Sequence, residues 1–146
     1  MNTMKKTGII AVLLLLLLGT AACRKDKNPD GGIFGEWKQV SYTGDDDAAG
    51  AEVYLNFRPD CTFEMFQKLG AGHFAAYIGT FSLDGELLSG TYSDGTSFGG
   101  KYIVKVDGDR MTMTESNVAA PGEYVYTRCS IPDSVRGDAS DYGTGN

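Results

Sequence analysis

"YIGTFSLDGELLSGTYSDG", residues 77–95, reads as a strand, a turn, a second strand and a second turn. Asp84-Gly85 and Asp94-Gly95 mark the turns, because Asp-Gly tolerates the positive φ that tight hairpins need. The same dipeptide recurs at Asp107-Gly108, and Pro59-Asp60 supplies another turn. Between these marks the apolar residues alternate: Val53/Leu55/Phe57, Phe63/Met65, Met111/Met113 and Tyr124/Tyr126. A period of two is the signature of a half-buried strand. Strands are expected near 35–43, 52–58, 61–68, 73–83, 86–93, 96–106, 110–116 and 122–131. No helical period competes with them, and few residues are left for crossovers. The fold class is therefore all-β: a small eight-stranded antiparallel up-and-down β-barrel, whose closure satisfies the strand edges. From pattern alone, a two-sheet sandwich remains the alternative.

The ends of the chain read differently. Lys5 and Lys6 precede an apolar run, Ile9 to Leu18, then small residues and Cys23. This is the pattern of a bacterial lipoprotein signal peptide over residues 1–22. The run is short of the roughly 20 apolar residues that a spanning helix requires. Cys23 would then carry the lipid, and residues 23–32 would form a lipidated N-terminus and flexible tether. Acyl chains would hold the protein to a membrane, in the cell envelope at the outer membrane, on its periplasmic face or at the cell surface. The barrel is expected over 33–132. The polar tail, 133–146, is expected to be disordered. The 146-residue chain has a formal net charge of −6, and loss of Lys5 and Lys6 makes it more acidic. That balance argues against nucleic acid as a partner.

"GEW" at 35–37 opens the first expected strand and "YTR" at 126–128 lies in the last. With "VYLNFRPDCTF" (53–63), "YIGTFSLDGELLSGTYSDG" (77–95) and "DRMTMTES" (109–116), these pieces resemble the lipocalin-like domain found in many small lipoproteins of Bacteroidota. In lipocalins a Gly-x-Trp opens strand one, and an arginine late in the last strand packs over its indole. The resemblance thus implies that Trp37 and Arg128 close one end of a barrel, a structural role worth about 0.5–2 kcal/mol in cation–π attraction. Cys61 stands where the family's turn usually has glycine.

If Trp37 points inward, strand parity places Gln39 and Ser41 beside it. The inward apolar set offered as ligand-binding is Leu55, Phe57, Phe63, Met65, Phe81, Tyr92, Tyr102, Val104, Met111, Met113, Tyr124 and Tyr126. Such residues either fill a small barrel or leave room for one small ligand. Tyrosine hydroxyls among adaptable methionines suit a small hydrophobic or amphipathic molecule. The alternative is a structural or interaction module with a filled core, binding a protein or glycan through its rim loops.

Other chemistry is thinly represented. His73 is the single histidine, and a metal site usually needs several ligands. Asp45-Asp46-Asp47 lacks the alternation of a calcium loop, and Arg136-Gly137-Asp138 is a three-letter match in a polar tail. No nucleophile–histidine–acid set is readable, so no enzyme activity, cofactor or metal is expected. Topology brings Cys61 and Cys129 to the end of the barrel that Trp37 occupies. A disulfide there requires Cα atoms within about 7 Å; otherwise the two are separate thiols.

Overall fold

The structure, a computed structural model, describes residues 32–44 and 50–141. The leader, Cys23, nearly all of the tether, Asp45–Asp47 and residues 142–146 lie outside the described residues. Eight strands follow one another: β1 (Gly35–Thr43), β2 (Ala51–Phe57), β3 (Thr62–Leu69), β4 (Ala75–Asp84), β5 (Leu87–Tyr92), β6 (Lys101–Asp107), β7 (Arg110–Ser116) and β8 (Glu123–Arg128). Each pairs antiparallel with the next, and β8 pairs with β1, so the sheet closes into an up-and-down barrel. The Asp-Gly turns work as the sequence suggests: Gly85, Gly95 and Gly108 all adopt positive φ.

One end of the barrel is solid. Trp37 is 0% exposed, and its indole Nε1 donates to the Ile33 carbonyl at 2.8 Å. Around it pack Ile33, Phe57, Phe81, Leu88, Val104 and Met111. The Phe57 and Phe81 rings meet edge to face at 5.0 Å, an arrangement that aromatic quadrupoles favour. Trp37 and Arg128 are register partners across the β1–β8 seam. The Arg128 guanidinium lies over the indole at 4.2 Å. It also donates to the carbonyls of Phe34 (3.0 Å), Gly32 (2.8 Å) and Gly108 (3.4 Å). The ion pair with Asp109 adds little, because Asp109 is largely exposed. Gly35 sits in the left-handed region at φ 116, and a Cβ there would come within 3.1 Å of Arg128 Nη1. The Gly-x-Trp spacing therefore leaves room for the arginine.

Two expectations are corrected along the chain. The strand expected at 96–106 begins only at Lys101, because residues 93–100 form a loop that holds one isolated bridge, Thr91–Ser97. The expected disordered tail is partly ordered. Helix α1 (Asp133–Asp138) and a two-residue strand β9 (Ser140–Asp141) follow the barrel, and β9 runs parallel to the start of β4. Val135 and Ile131 are buried on the outside of the sheet against Tyr54, Phe66 and Phe74. Arg136 bonds to Glu36 on β1 and Glu64 on β3, and its guanidinium lies 5.3 Å from the Phe66 ring centre. Burial opposes ionisation of Glu64, but hydrogen bonds from Asn56, Arg58 and Arg136 outweigh it and hold the carboxyl below its usual range. Asp138 accepts from the Phe74 backbone N–H and contacts His73 Nδ1 at 2.5 Å. Both charged groups of Arg136-Gly137-Asp138 are thus engaged with the barrel, and His73 has a structural partner.

The proposed bridge is corrected as well: Cys61 and Cys129 are free thiols. Cys61 occupies the β2–β3 turn at φ 68, bonded through its backbone to Arg58 and Phe81. Cys129 follows β8 and packs with the outer cluster of Tyr54, Phe66 and Val135. Strand parity brings both to one end, but β1 stands between β8 and β2, and the Cys129 side chain turns to the outer face.

Arg128→Ala removes the guanidinium from the indole and frees three carbonyls. We expect a loss of about 2–4 kcal/mol in denaturant unfolding and a red shift of Trp37 emission. Unchanged emission and midpoint would refute a sealing role.

Candidate functional site

The strand directions separate the two ends of the barrel. β1 starts at the sealed end and β2 starts at the other, so alternate inward positions step from Trp37 toward an open mouth. There the interior holds a cavity of about 270 Å3. Leu55, Phe57, Phe63, Met65, Tyr92, Tyr102, Met113, Tyr124 and Tyr126 line it. Phe81, Val104 and Met111 do not. They face inward as parity predicts, but at the level of Trp37, where they are packed and buried. They are corrected from ligand contacts to core.

The sequence reading missed Ala51, Val53, Gln67, Phe98 and Gly99, and placed Gln39 inward without giving it a role at the site; all six line the cavity. Gln67 was hidden by its polarity, although it alternates with Met65. Val53 continues the row of Leu55 and Phe57 and was readable from period alone. Phe98 has no periodic signal because it comes from a loop. Its ring lies over Gly90, where a Cβ would come within 2.5 Å of it. The β5–β6 ladder is short, limited to Leu87–Ile103 and Leu88–Tyr102, and the Phe98 ring enters beside it. Ser41 is also corrected. The register of β1 against β8 shifts between Gln39 and Ser41, leaving Val40 and Ser41 exposed and bringing Tyr42 opposite Tyr124. A β-bulge inserts one residue and so reverses parity beyond it.

Aromatic rings form an arc around the mouth. Tyr42 meets Tyr124 at 4.5 Å, Tyr124 meets Tyr102 at 6.0 Å, and Phe98 reaches Tyr102 at 6.4 Å, Tyr92 at 5.3 Å and Phe63 at 5.0 Å. Glu115 sits beside them, accepting from Gly122 N–H at 3.0 Å and Tyr124 OH at 3.4 Å. Burial pushes the phenols of Tyr92, Tyr102, Tyr124 and Tyr126 upward from the ordinary value of 10.0; Tyr77 and Asp94 add to it at Tyr92, Glu115 at Tyr102, and neighbouring phenols at Tyr124 and Tyr126. At physiological pH the hydroxyls are neutral donors and acceptors, and the shift extends that state to more alkaline pH. Among the described residues no group of three or more His, Cys, Asp or Glu is placed to hold a metal.

A model of the lipocalin-like domain matches residues 33–113, which takes in β1 through β6 and the start of β7. No curated protein matches the chain in sequence. Similar solved structures include the REP1-NXSQ fatty acid transporter, at 13% identity and TM-score 0.43, covering 68% of this chain and 97% of that one. Fatty-acid-binding protein 1 of Echinococcus granulosus is similar at 10% identity and TM-score 0.42, covering 67% and 98%. As-p18, an extracellular fatty acid binding protein, is similar at 17% identity and TM-score 0.40, covering 66% and 95%.

The buried phenols give a pH dependence with a definite sign. An unfolded chain ionises its tyrosines near 10.0, whereas the folded barrel resists. Above that pH the unfolded state holds fewer protons, so stability falls as pH rises. Phenolate absorbance should show a delayed class of tyrosines whose ionisation accompanies unfolding. Titration of every tyrosine at its ordinary value in folded protein would refute their burial.

Proposed function

This chain belongs to the lipocalin-like domain family, and on that premise we propose that it binds one small, partly apolar molecule inside the barrel. The observation that carries the reading is the cavity itself. A barrel of this size can be filled by its own side chains, yet here the packed half gives way to a space walled by rings, methionines and a few polar ends. Apolar walls with sparse polar groups are the usual composition of a small-molecule site. Binding is the activity we assign, not catalysis. A neutral solvatochromic dye such as Nile red should bind the purified protein saturably. Met113→Trp, which fills the cavity, should weaken that binding at least about tenfold, the equivalent of roughly 1.4 kcal/mol. Absence of saturable binding, or equal binding by the folded variant, would overturn the reading.

We further propose that the protein is a lipoprotein of the cell envelope, held at the outer membrane through Cys23. The support is the sequence order of charged head, apolar run, small residues and cysteine. Metabolic labelling with an alkyne fatty acid should tag the wild-type protein and not Cys23→Ala, and the variant should leave the membrane fraction or fail to be processed. An unlabelled wild-type protein would refute the anchor.

A further inference from the structure

We propose that the cavity selects an uncharged, flat ligand bearing an amide- or hydroxyl-type group, and rejects the corresponding carboxylate. The proposal rests on the cavity-binding reading above and specifies the chemistry of what enters.

The argument begins with strand alternation. Lys38 precedes Gln39, and Lys68 follows Gln67, so each lysine faces the opposite side of the sheet from its neighbouring amide. Lys38 lies over the Tyr54 ring on the outside, and Lys68 pairs with Glu52 at 3.0 Å and lies over Phe74. The arginine of the last strand, Arg128, is at the sealed end, engaged with Trp37 and the carbonyls of Gly32 and Phe34. Among the described residues no Lys, Arg or His lines the cavity. The formal charges nearest it among the described residues are negative: Glu115 at the mouth, hydrogen-bonded to Tyr124, and Asp94 near Tyr92. An anion entering would lose its hydration, meet no cation and approach a carboxylate. Desolvating an ion without a charged partner is among the most unfavourable steps in recognition.

The polar groups that do face the cavity suit a neutral partner. Gln67 on β3 is opposite Val53 on β2, and Gln39 on β1 is opposite Tyr126 on β8, so the two amides flank β2 and the phenol stands next to Gln39. Neither amide has a hydrogen-bond partner among the described residues, and no buried side-chain N or O is left unsatisfied there. Both residues line the cavity, so each amide can offer it a donor and an acceptor. The phenols of Tyr102 and Tyr126, protonated at neutral pH, add donors. A site that offers hydrogen bonds favours a ligand that returns them. Flatness follows from the walls: Phe63, Phe98, Tyr92 and Tyr102 lie in edge-to-face and tilted contacts that a planar ring can extend by offset stacking. At about 270 Å3 the cavity is near the lower bound of ligand pockets, suiting a bicyclic ring and not a long chain.

Naphthamide and naphthoate test this, being nearly the same shape and differing in charge. Calorimetric titration of the purified protein at neutral pH should give saturable binding of naphthamide, at least about tenfold tighter than naphthoate. Gln39→Arg places a cation at the amide's position and should reverse the order. Gln67→Leu should weaken naphthamide alone, with Trp37 emission reporting that each variant remains folded. Equal affinities, or a preference for naphthoate in the unaltered protein, overturn charge selection and leave cavity binding standing. Nile red binding without naphthamide binding overturns the ligand class. Failure of both probes overturns the cavity reading together with the proposal. An unreversed order in folded Gln39→Arg would place the bound ring outside the cavity and equally overturn it.

Discussion

The β1–β8 seam decides whether eight strands make a barrel or an open sheet with two raw edges. Its register sets Trp37 opposite Arg128, and that pair does more than add one contact. The indole fills the end of the barrel from inside, while the guanidinium covers it and collects carbonyls from the chain entering at 32–34 and from the β6–β7 turn. Those carbonyls would otherwise face the end of the barrel without partners. A charge-assisted hydrogen bond is roughly twice as strong as a neutral one, so one side chain satisfies several backbone groups and presents a flat face to the indole.

Sealing one end imposes a gradient along the axis. Near Trp37 the inward residues are bulky and close-packed: Phe57, Phe81, Leu88, Met111. Two to four residues farther toward the mouth the inward side chains become Gln39, Val53, Gln67 and the tyrosines, and the packing opens into the cavity. The strands supply both environments with one alternation. What changes is side-chain size and polarity, not backbone geometry, so a rigid frame supports a site with unfilled space.

Much of this was legible in the sequence. Alternation and Asp-Gly turns locate the strands because both are local signals, and the lipocalin resemblance carried by Gly-x-Trp implies which end closes. Three features were not local. The bulge in β1 reverses parity after Gln39, and nothing in "KQVSYT" announces an inserted residue. Phe98 enters from a loop, where period carries no information; only the small Gly90 opposite it hints at the contact. The segment after Pro132 looks too polar to fold by itself, and its order comes from surfaces elsewhere. Tyr54 and Phe66 were the available clue, two aromatics on outward positions of neighbouring strands that needed a cover. Depth along the barrel was also invisible, which is why Phe81, Val104 and Met111 could not be told from their cavity-lining neighbours.

The chain enters the barrel at its sealed end, where the Gly32 carbonyl is held by Arg128. Strand β1 then carries it nine residues toward the mouth, about 30 Å at the rise of an extended strand. The entry of the chain and the mouth of the cavity therefore lie at opposite ends of the barrel. Were the protein held from its N-terminal side, the plugged base would stand nearer the support and the aromatic rim farther from it. Molecules arriving from the side away from that support meet the opening first, without the domain having to turn over or its base having to unseal.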